Sequence, residues 1–328
     1  MKTIIKRTML ALVCFSALSA VANAEKVIIG HFGDPAPVHV AITDGSFNKA
    51  TGWDIEWRKF ASGADVIAAL ASGDVQLSEL GSSPLSIAVS QGVDVELFLV
   101  SFLIGSSESL IVRNGSGIEK PADLKGKRIA VPVGSTAHLS LSGALKHWGI
   151  TAKEVQVINM PPDQINAAWS QGAIDAAFIW HPVQSVLMKN GKRLISAGEI
   201  AEWGYPTFNG WVVNKAFAKK HTDELVAFSK VMNDINAVYL KDKDALNENS
   251  DFVKKIAKAT GAEVNQVQTI MEGFRFLTSA EQTDWLKNNA ASALKKTADF
   301  LKSSGRIDQV QSDYSQYVDS AIAEKAAQ

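Results

Sequence analysis

VQLSELGSSPLSIAV, residues 75–89, changes periodicity part-way along. Val75 to Leu80 alternates as a strand does, and residues 85–91 carry the apolar spacing of a helix closed by Gly92. Gly81-Ser82-Ser83-Pro84 lies at the handover. A strand feeding a helix is the repeating unit of an α/β fold. Just upstream, residues 64–72 read as a short helix with Val66, Ile67, Leu70 and Ala71 on one face, ended by Gly73. ALASGDVQL at 69–77 returns in outline as AAWSQGAIDAAF at 167–178: a small helix, a glycine, an aspartate and a strand. The chain therefore reads as two similar α/β lobes, each built on a mostly parallel sheet.

The rest of the chain supports that organisation. Residues 27–32 and 55–60 read as strands, broken by the Gly33-Asp34-Pro35-Ala36-Pro37 loop and a helix over 39–49. Strand 128–133 leads through Gly134-Ser135-Thr136-Ala137-His138 into a helix over 139–148. Strand 155–160, helix 164–171 and strand 175–180 follow. Residues 109–113 and 210–214 are the candidate crossings between lobes. Beyond 215 the pattern is helical, over 222–240, 250–259, 263–273, 281–303 and 308–324. Two crossings make lobe 1 discontinuous, 25–108 plus 215–328, with lobe 2 inserted as 109–214. Such lobes close on ligands held between them, at the carboxyl ends of strands.

The first 24 residues are set apart. Lys2, Lys6 and Arg7 precede a short apolar run, Met9 to Leu18, and Ala22-Asn23-Ala24 is a small-x-small cleavage site. This is the pattern of a secretory signal peptide, and the run is too short to span a bilayer. Acylation of Cys14 is the rival reading, against which stand the bulk of Val13 and the shortness of the run before it. Cys14 is the single cysteine. The mature chain then has no disulfide, thiol nucleophile or Cys-based metal site. Loss of three basic residues leaves 30 basic against 34 acidic, a charge of −4. No basic stripe suggests nucleic acid.

Gly81-Ser82-Ser83-Pro84 and Gly134-Ser135-Thr136-Ala137-His138 offer the same chemistry. Ser82 or Ser83 is expected at the N-cap with Pro84 at the first helical position. Free N–H groups of each first turn, with the positive helix end and nearby hydroxyls, suit an oxyanion. Either loop alone is most simply a helix start. Their expected occurrence at equivalent places in two lobes favours a shared ligand. Neither is a phosphate-binding Gly-Lys-Ser/Thr loop or a Gly-x-Ser-x-Gly elbow, and the six histidines show no metal-ligand spacing. An oxyanion site with no catalytic, metal or cofactor group points to binding.

WRKFASGADVIAALASGDVQ, GSSPL, GKRIAVPVGSTAH, ALKHWGI and DYSQYV together resemble the taurine-binding periplasmic proteins of sulfonate ABC transporters, within the aliphatic sulfonate- and nitrate-binding family. The likeness runs from about residue 27 to 318. It implies the type II periplasmic binding-protein fold: two α/β lobes joined by two crossing segments, with the ligand cleft between them. It implies a periplasmic protein that carries a small ligand to an inner-membrane permease served by separate ATPase subunits. The sulfonate is expected among Ser82, Ser83, Ser135, Thr136, Ala137 and His138. Glu108 matches a carboxylate position for the ligand ammonium. Asp34 is a further candidate, and Trp180 and Trp211 either wall the carbon chain or pack in the core.

Two positions depart from the family. Asn209 stands where an aspartate is usual, and Glu79 where a neutral residue is expected. One expectation is that the ammonium-facing carboxylate has moved to Glu79. The other is a changed ligand, such as isethionate, an alkanesulfonate or an aminophosphonate. An enzyme on the same fold is the rival class. Pyrimidine-synthesising relatives depend on cysteine- and histidine-rich chemistry, which a cysteine-free mature chain lacks.

Overall fold

The computed structural model describes residues 24–328, so the expected signal segment and Cys14 lie outside the described residues. Among the described residues, eleven strands form two sheets. In chain order they are β1 (Lys26–His31), β2 (Asp54–Lys59), β3 (Leu77–Gly81), β4 (Val95–Ile104), β5 (Glu108–Arg113), β6 (Arg128–Val131), β7 (Gln156–Asn159), β8 (Ala176–Trp180), β9 (Gly191–Ser196), β10 (Phe208–Asn214) and β11 (Phe274–Arg275). The first sheet runs β2-β1-β3-β10-β4-β11 and the second β7-β6-β8-β5-β9. Among the described residues no helix is long and apolar enough to cross a membrane.

The shared order makes the repeat visible. β2, β1 and β3 are parallel neighbours, and so are β7, β6 and β8. An antiparallel strand then follows in each, β10 beside β3 and β5 beside β8. The sheets are therefore more mixed than expected. β5 and β10 arrive from the opposite lobe and enter their sheets pointing backwards. The same order corrects the equivalence of the two loops. Gly81-Ser82-Ser83-Pro84 follows β3, whose counterpart is β8. Gly134 to His138 follows β6, whose counterpart is β1. The loops come from different halves of the repeat.

The expected lobe limits differ from the sheets at both crossings. Residues 210–214 belong to β10, a buried strand hydrogen-bonded between β3 and β4. Glu108 begins β5 in the second sheet. The crossings are thus about 105–107 and 203–207. The β character expected of 210–214 is present, but in a central strand of the first sheet and not in a crossing. The helical expectation over 308–324 also fails in large part. A single 3₁₀ turn, Ser315–Tyr317, precedes a helix at Ser320–Ala326. The Asp313 carboxylate accepts from the Ser315 N–H and hydroxyl, a local turn that competes with helix. The Asp319 N–H then donates to Leu97 O, tying the segment along β4.

Aromatic packing anchors the core of lobe 1. Phe228 packs on Phe47 at 4.6 Å and on Trp211 at 5.1 Å, between ring centroids. In lobe 2, Asp175 clamps the start of β6. It accepts from Arg128 Nε at 3.0 Å, Nη2 at 2.8 Å and the backbone N–H at 2.9 Å. That fork holds β6 in line, and with it the loop at its far end.

The first crossing rests on a close backbone contact. Gly273 O accepts from Gly105 N at 3.0 Å and Ser107 N at 3.2 Å. A Cβ on Gly105 would stand 2.6 Å from that carbonyl. Gly105→Ala is therefore expected to destabilise the protein by about 2 kcal/mol, because backbone must move. A thermal midpoint equal to that of the unaltered protein would remove this account of the crossing.

Candidate functional site

The carboxyl ends of β1, β3, β6 and β8 bring their loops together, as the contact of Gly81 with Thr136, the pairing of Glu108 with Trp180 and the nearness of Asp34 to Glu108 show. The helix Ser82–Ser90 has Gly81, in extended backbone, as its N-cap, with no side-chain cap bond. The expected serine cap with Pro84 at the first position is therefore displaced: Ser82 and Ser83 occupy the first two helical positions and Pro84 the third. This leaves more polar capacity than a serine cap would. The N–H groups of Ser82 and Ser83 have no partner within the helix. The Ser82 hydroxyl accepts from the Phe208 N–H at 3.4 Å, and the Ser83 hydroxyl is buried without a partner.

Across the cleft, Ser135 caps the helix Thr136–His147. Its hydroxyl accepts from the His138 N–H at 3.3 Å and donates to Pro132 O at 2.6 Å. Ser135 is thus engaged by its own helix, while the N–H groups of Thr136 and Ala137 stay free of intrahelical bonds. Thr136 Oγ1 donates to Glu108 Oε1 at 2.8 Å. The His138 side chain does not join them. Its Nδ1 accepts from the Gly134 N–H at 3.4 Å and its ring faces Phe300 edge-on. It lines an outer groove of about 790 Å³ with Lys146 and Arg306. Burial, with some help from Arg306, pushes the imidazole down to about 4, so it is neutral at pH 7.

The two loops meet at Gly81. A Cβ there would lie 3.2 Å from Thr136 Cγ2 and 3.3 Å from Asn209 Oδ1. A side chain there would make Thr136 and Asn209 give way by a few tenths of an ångström.

Three carboxyl groups gather beside this meeting point. Glu108 is paired opposite Trp180 in register and is 2% exposed. Its Oε2 is buried with no partner, and burial pushes the carboxyl up to about 8 against the opposing pull of Thr136. Asp34, in the loop after β1, is raised well above its ordinary value by burial and by the negative Glu79 and Glu108, with Lys59 offsetting part. Glu79 is raised by burial, while hydrogen bonds from the Ser101 hydroxyl, the Phe32 N–H and the Asn209 amide draw it back. Glu79 is therefore neither solvent-facing nor paired with a cation. Three donors of the protein itself already face it.

Trp180 closes β8 at partial burial. Trp211 is fully buried, with its ring against Phe228 and, at 6.3 Å, Trp57. Its ring packs in the core, and its Nε1 remains without a partner. Sequence reasoning missed Ser101, and also Ser107 and Thr207, whose buried hydroxyls lack partners on the two crossings. A signal existed for Ser101: it is the only hydroxyl in the apolar run of β4. Among the described residues no group of three or more His, Cys, Asp or Glu side chains is arranged to hold a metal ion.

The profile of the NMT1/THI5-like family matches residues 33–244. This chain belongs to that family. The NMT1/THI5-like chain is 42% identical over 319 residues to the taurine-binding periplasmic protein of Escherichia coli (strain K12), covering 97% of this chain and 98% of that one. It is 29% identical over 306 residues to a putative aliphatic sulfonates-binding protein of Bacillus subtilis (strain 168), covering 92% and 88%. Its fold matches the crystal structure of the periplasmic aliphatic sulphonate binding protein from Escherichia coli, with TM-score 0.73, 21% identity and coverage of 90% and 92%. The desulfurization enzyme DSZB shares this NMT1/THI5-like fold at TM-score 0.65 and 15% identity, covering 92% and 98%. Fold alone therefore does not separate binding from catalysis. The site's chemistry must do that.

Proposed function

We propose that this protein is the periplasmic substrate-binding component of an ABC importer. It binds taurine between its two lobes and delivers it to a membrane permease driven by separate ATPase subunits. The observation that carries this reading is the meeting of two kinds of polar group. The two loops offer hydroxyls and helix N–H groups with no arginine or lysine, and buried carboxyl groups stand beside them. A sulfonate spreads one charge over three oxygens and suits several neutral donors. An ammonium suits the orphaned Glu108 Oε2. A zwitterion with both ends matches both kinds of group. The 42% identity to a taurine-binding periplasmic protein supports the same reading.

No catalytic role enters the proposal. The single cysteine of the chain lies in the expected signal segment, which leaves the mature protein without a thiol nucleophile. The neutral acceptor Asn209 favours one second reading, isethionate, whose hydroxyl can also donate to it. Calorimetric titration of the mature protein with taurine, isethionate, ethanesulfonate and 2-aminoethylphosphonate distinguishes these ligands. Taurine is expected to bind one to one and most tightly. Absence of heat with all four would overturn the proposal.

The Ser83 hydroxyl gives a sharper expectation. Buried and unpartnered, it costs stability while the cleft is empty. Ser83→Ala is expected to raise ligand-free stability by about 1 kcal/mol and to weaken taurine about tenfold. Thermal unfolding and calorimetry read the two effects. A fall in stability with unchanged affinity would place this hydroxyl outside the site.

A further inference from the structure

Glu79 and Asn209 lie on adjacent antiparallel strands. Asn209 is paired with Gly81 and Trp211 with Glu79, so Glu79 and Asn209 are diagonal neighbours on one face of the sheet. Both are buried, at 3% and 7% exposure. Gly81 contributes no side chain to that face. The Asn209 side chain reaches into the space left, with Oδ1 3.3 Å from where a Gly81 Cβ would stand and beside Thr136 of the other lobe. The Asn209 amide stands close enough to Glu79 to oppose the rise that burial gives its carboxyl.

We propose that Glu79 is a positioning residue that fixes the orientation of the Asn209 amide, so that Asn209 presents its carbonyl oxygen and not its NH₂ group to the ligand cleft. This rests on the taurine reading and assigns the residue pair that selects a hydrogen-bond donor at the ligand's tail.

Matching of donors to acceptors sets the orientation. An ionised carboxylate only accepts, whereas a carboxamide has one accepting and one donating end. An amide facing Glu79 must turn its NH₂ toward it, which leaves Oδ1 for the cleft. The Phe32 N–H, which can only donate, also requires an acceptor from residue 79. In Glu79→Gln the single carbonyl of the new amide goes to Phe32 and its NH₂ faces Asn209. Asn209 then reverses and presents an NH₂ group to the ammonium. In the double variant Glu79→Gln with Asn209→Asp, that NH₂ meets a carboxylate, and residue 209 again offers an oxygen to the cleft.

Calorimetry with taurine and ethanesulfonate on the mature protein tests this. Glu79→Gln is expected to weaken taurine about tenfold or more, with ethanesulfonate changed less than about threefold. The double variant is expected to recover taurine to within about threefold of the unaltered protein. A purely structural role would weaken both ligands alike and give no recovery in the double variant; either result overturns the proposal. Should Glu79→Gln alone fail to fold, taurine affinity of the double variant and of Asn209→Asp decides: near-native affinity supports the orientation, and loss in both overturns it. Failure of the unaltered protein to bind taurine would instead sink the functional reading beneath it.

Discussion

Glu108→Gln is expected to weaken taurine binding about a hundredfold or more, while ethanesulfonate changes less than about threefold. Glu108 is fixed by the Thr136 hydroxyl at one oxygen and has a buried, unpartnered second oxygen. Such an atom costs free energy in an empty site and returns it when a donor arrives. An ammonium is a charged donor, and enclosure in a water-poor cleft strengthens its attraction to a carboxylate. Removing one partner of a buried ion pair leaves the other desolvated and unpaired, at a cost of about 3–5 kcal/mol. The substituted amide would keep the shape and a carbonyl but lose the charge. Ethanesulfonate has no ammonium and no reason to register the change. Equal weakening of both ligands would mean that Glu108 shapes the cleft without facing the ligand's cation.

The second large effect is on pH dependence. The thermal midpoint of the ligand-free protein is expected to fall as pH rises from about 5 to 8, and saturating taurine to remove most of that fall. Burial raises Glu108 from 4.5 to about 8 and raises Asp34 in the same direction, while hydrogen bonds from Ser101, Phe32 and Asn209 oppose the effect of burial at Glu79. The folded chain therefore holds protons that the unfolded chain releases. Stability is greatest below the unfolded value and is lost as pH climbs through the folded one. For Glu108 alone the shift corresponds to about 5 kcal/mol, and opening of the cleft limits the observed loss by rehydrating the carboxyl. Taurine brings a positive charge against these groups, so they ionise without standing isolated. The rise in midpoint on adding taurine should thus be larger at pH 8 than at pH 5, and Glu108→Gln should flatten the slope. A ligand-free midpoint that stays level or rises over this range would contradict the burial of these carboxyl groups.

Much of the architecture was legible because periodicity and glycine caps are local signals. The strand and helix on either side of Gly81 stand within a few residues of their expected places, and Gly73 takes the left-handed conformation expected of a helix end. What escaped was set by partners distant in sequence. Residues 210–214 read as a β-rich crossing, and nothing nearby reveals that this strand pairs between β3 and β4. The Gly81 cap was mistaken because serine is the usual choice, whereas here the cap is a glycine packed closely against Thr136. The family resemblance brought His138 among the candidates, but the helix turns its ring toward Phe300. Glu79 and Asn209 were recognised as unusual, but their relation depends on strand register, which no single segment encodes.

Hydroxyls, helix N–H groups and carboxyl groups gather where Gly81 meets Thr136, and on that mixture the proposed function stands. A crystal structure of the mature protein with taurine tests it most directly. Sulfonate oxygens are expected within hydrogen-bond distance of the Ser83 hydroxyl and the N–H groups of Thr136 or Ala137, with the taurine nitrogen on Glu108 Oε2. Taurine bound in the reverse sense, or away from these groups, would contradict it.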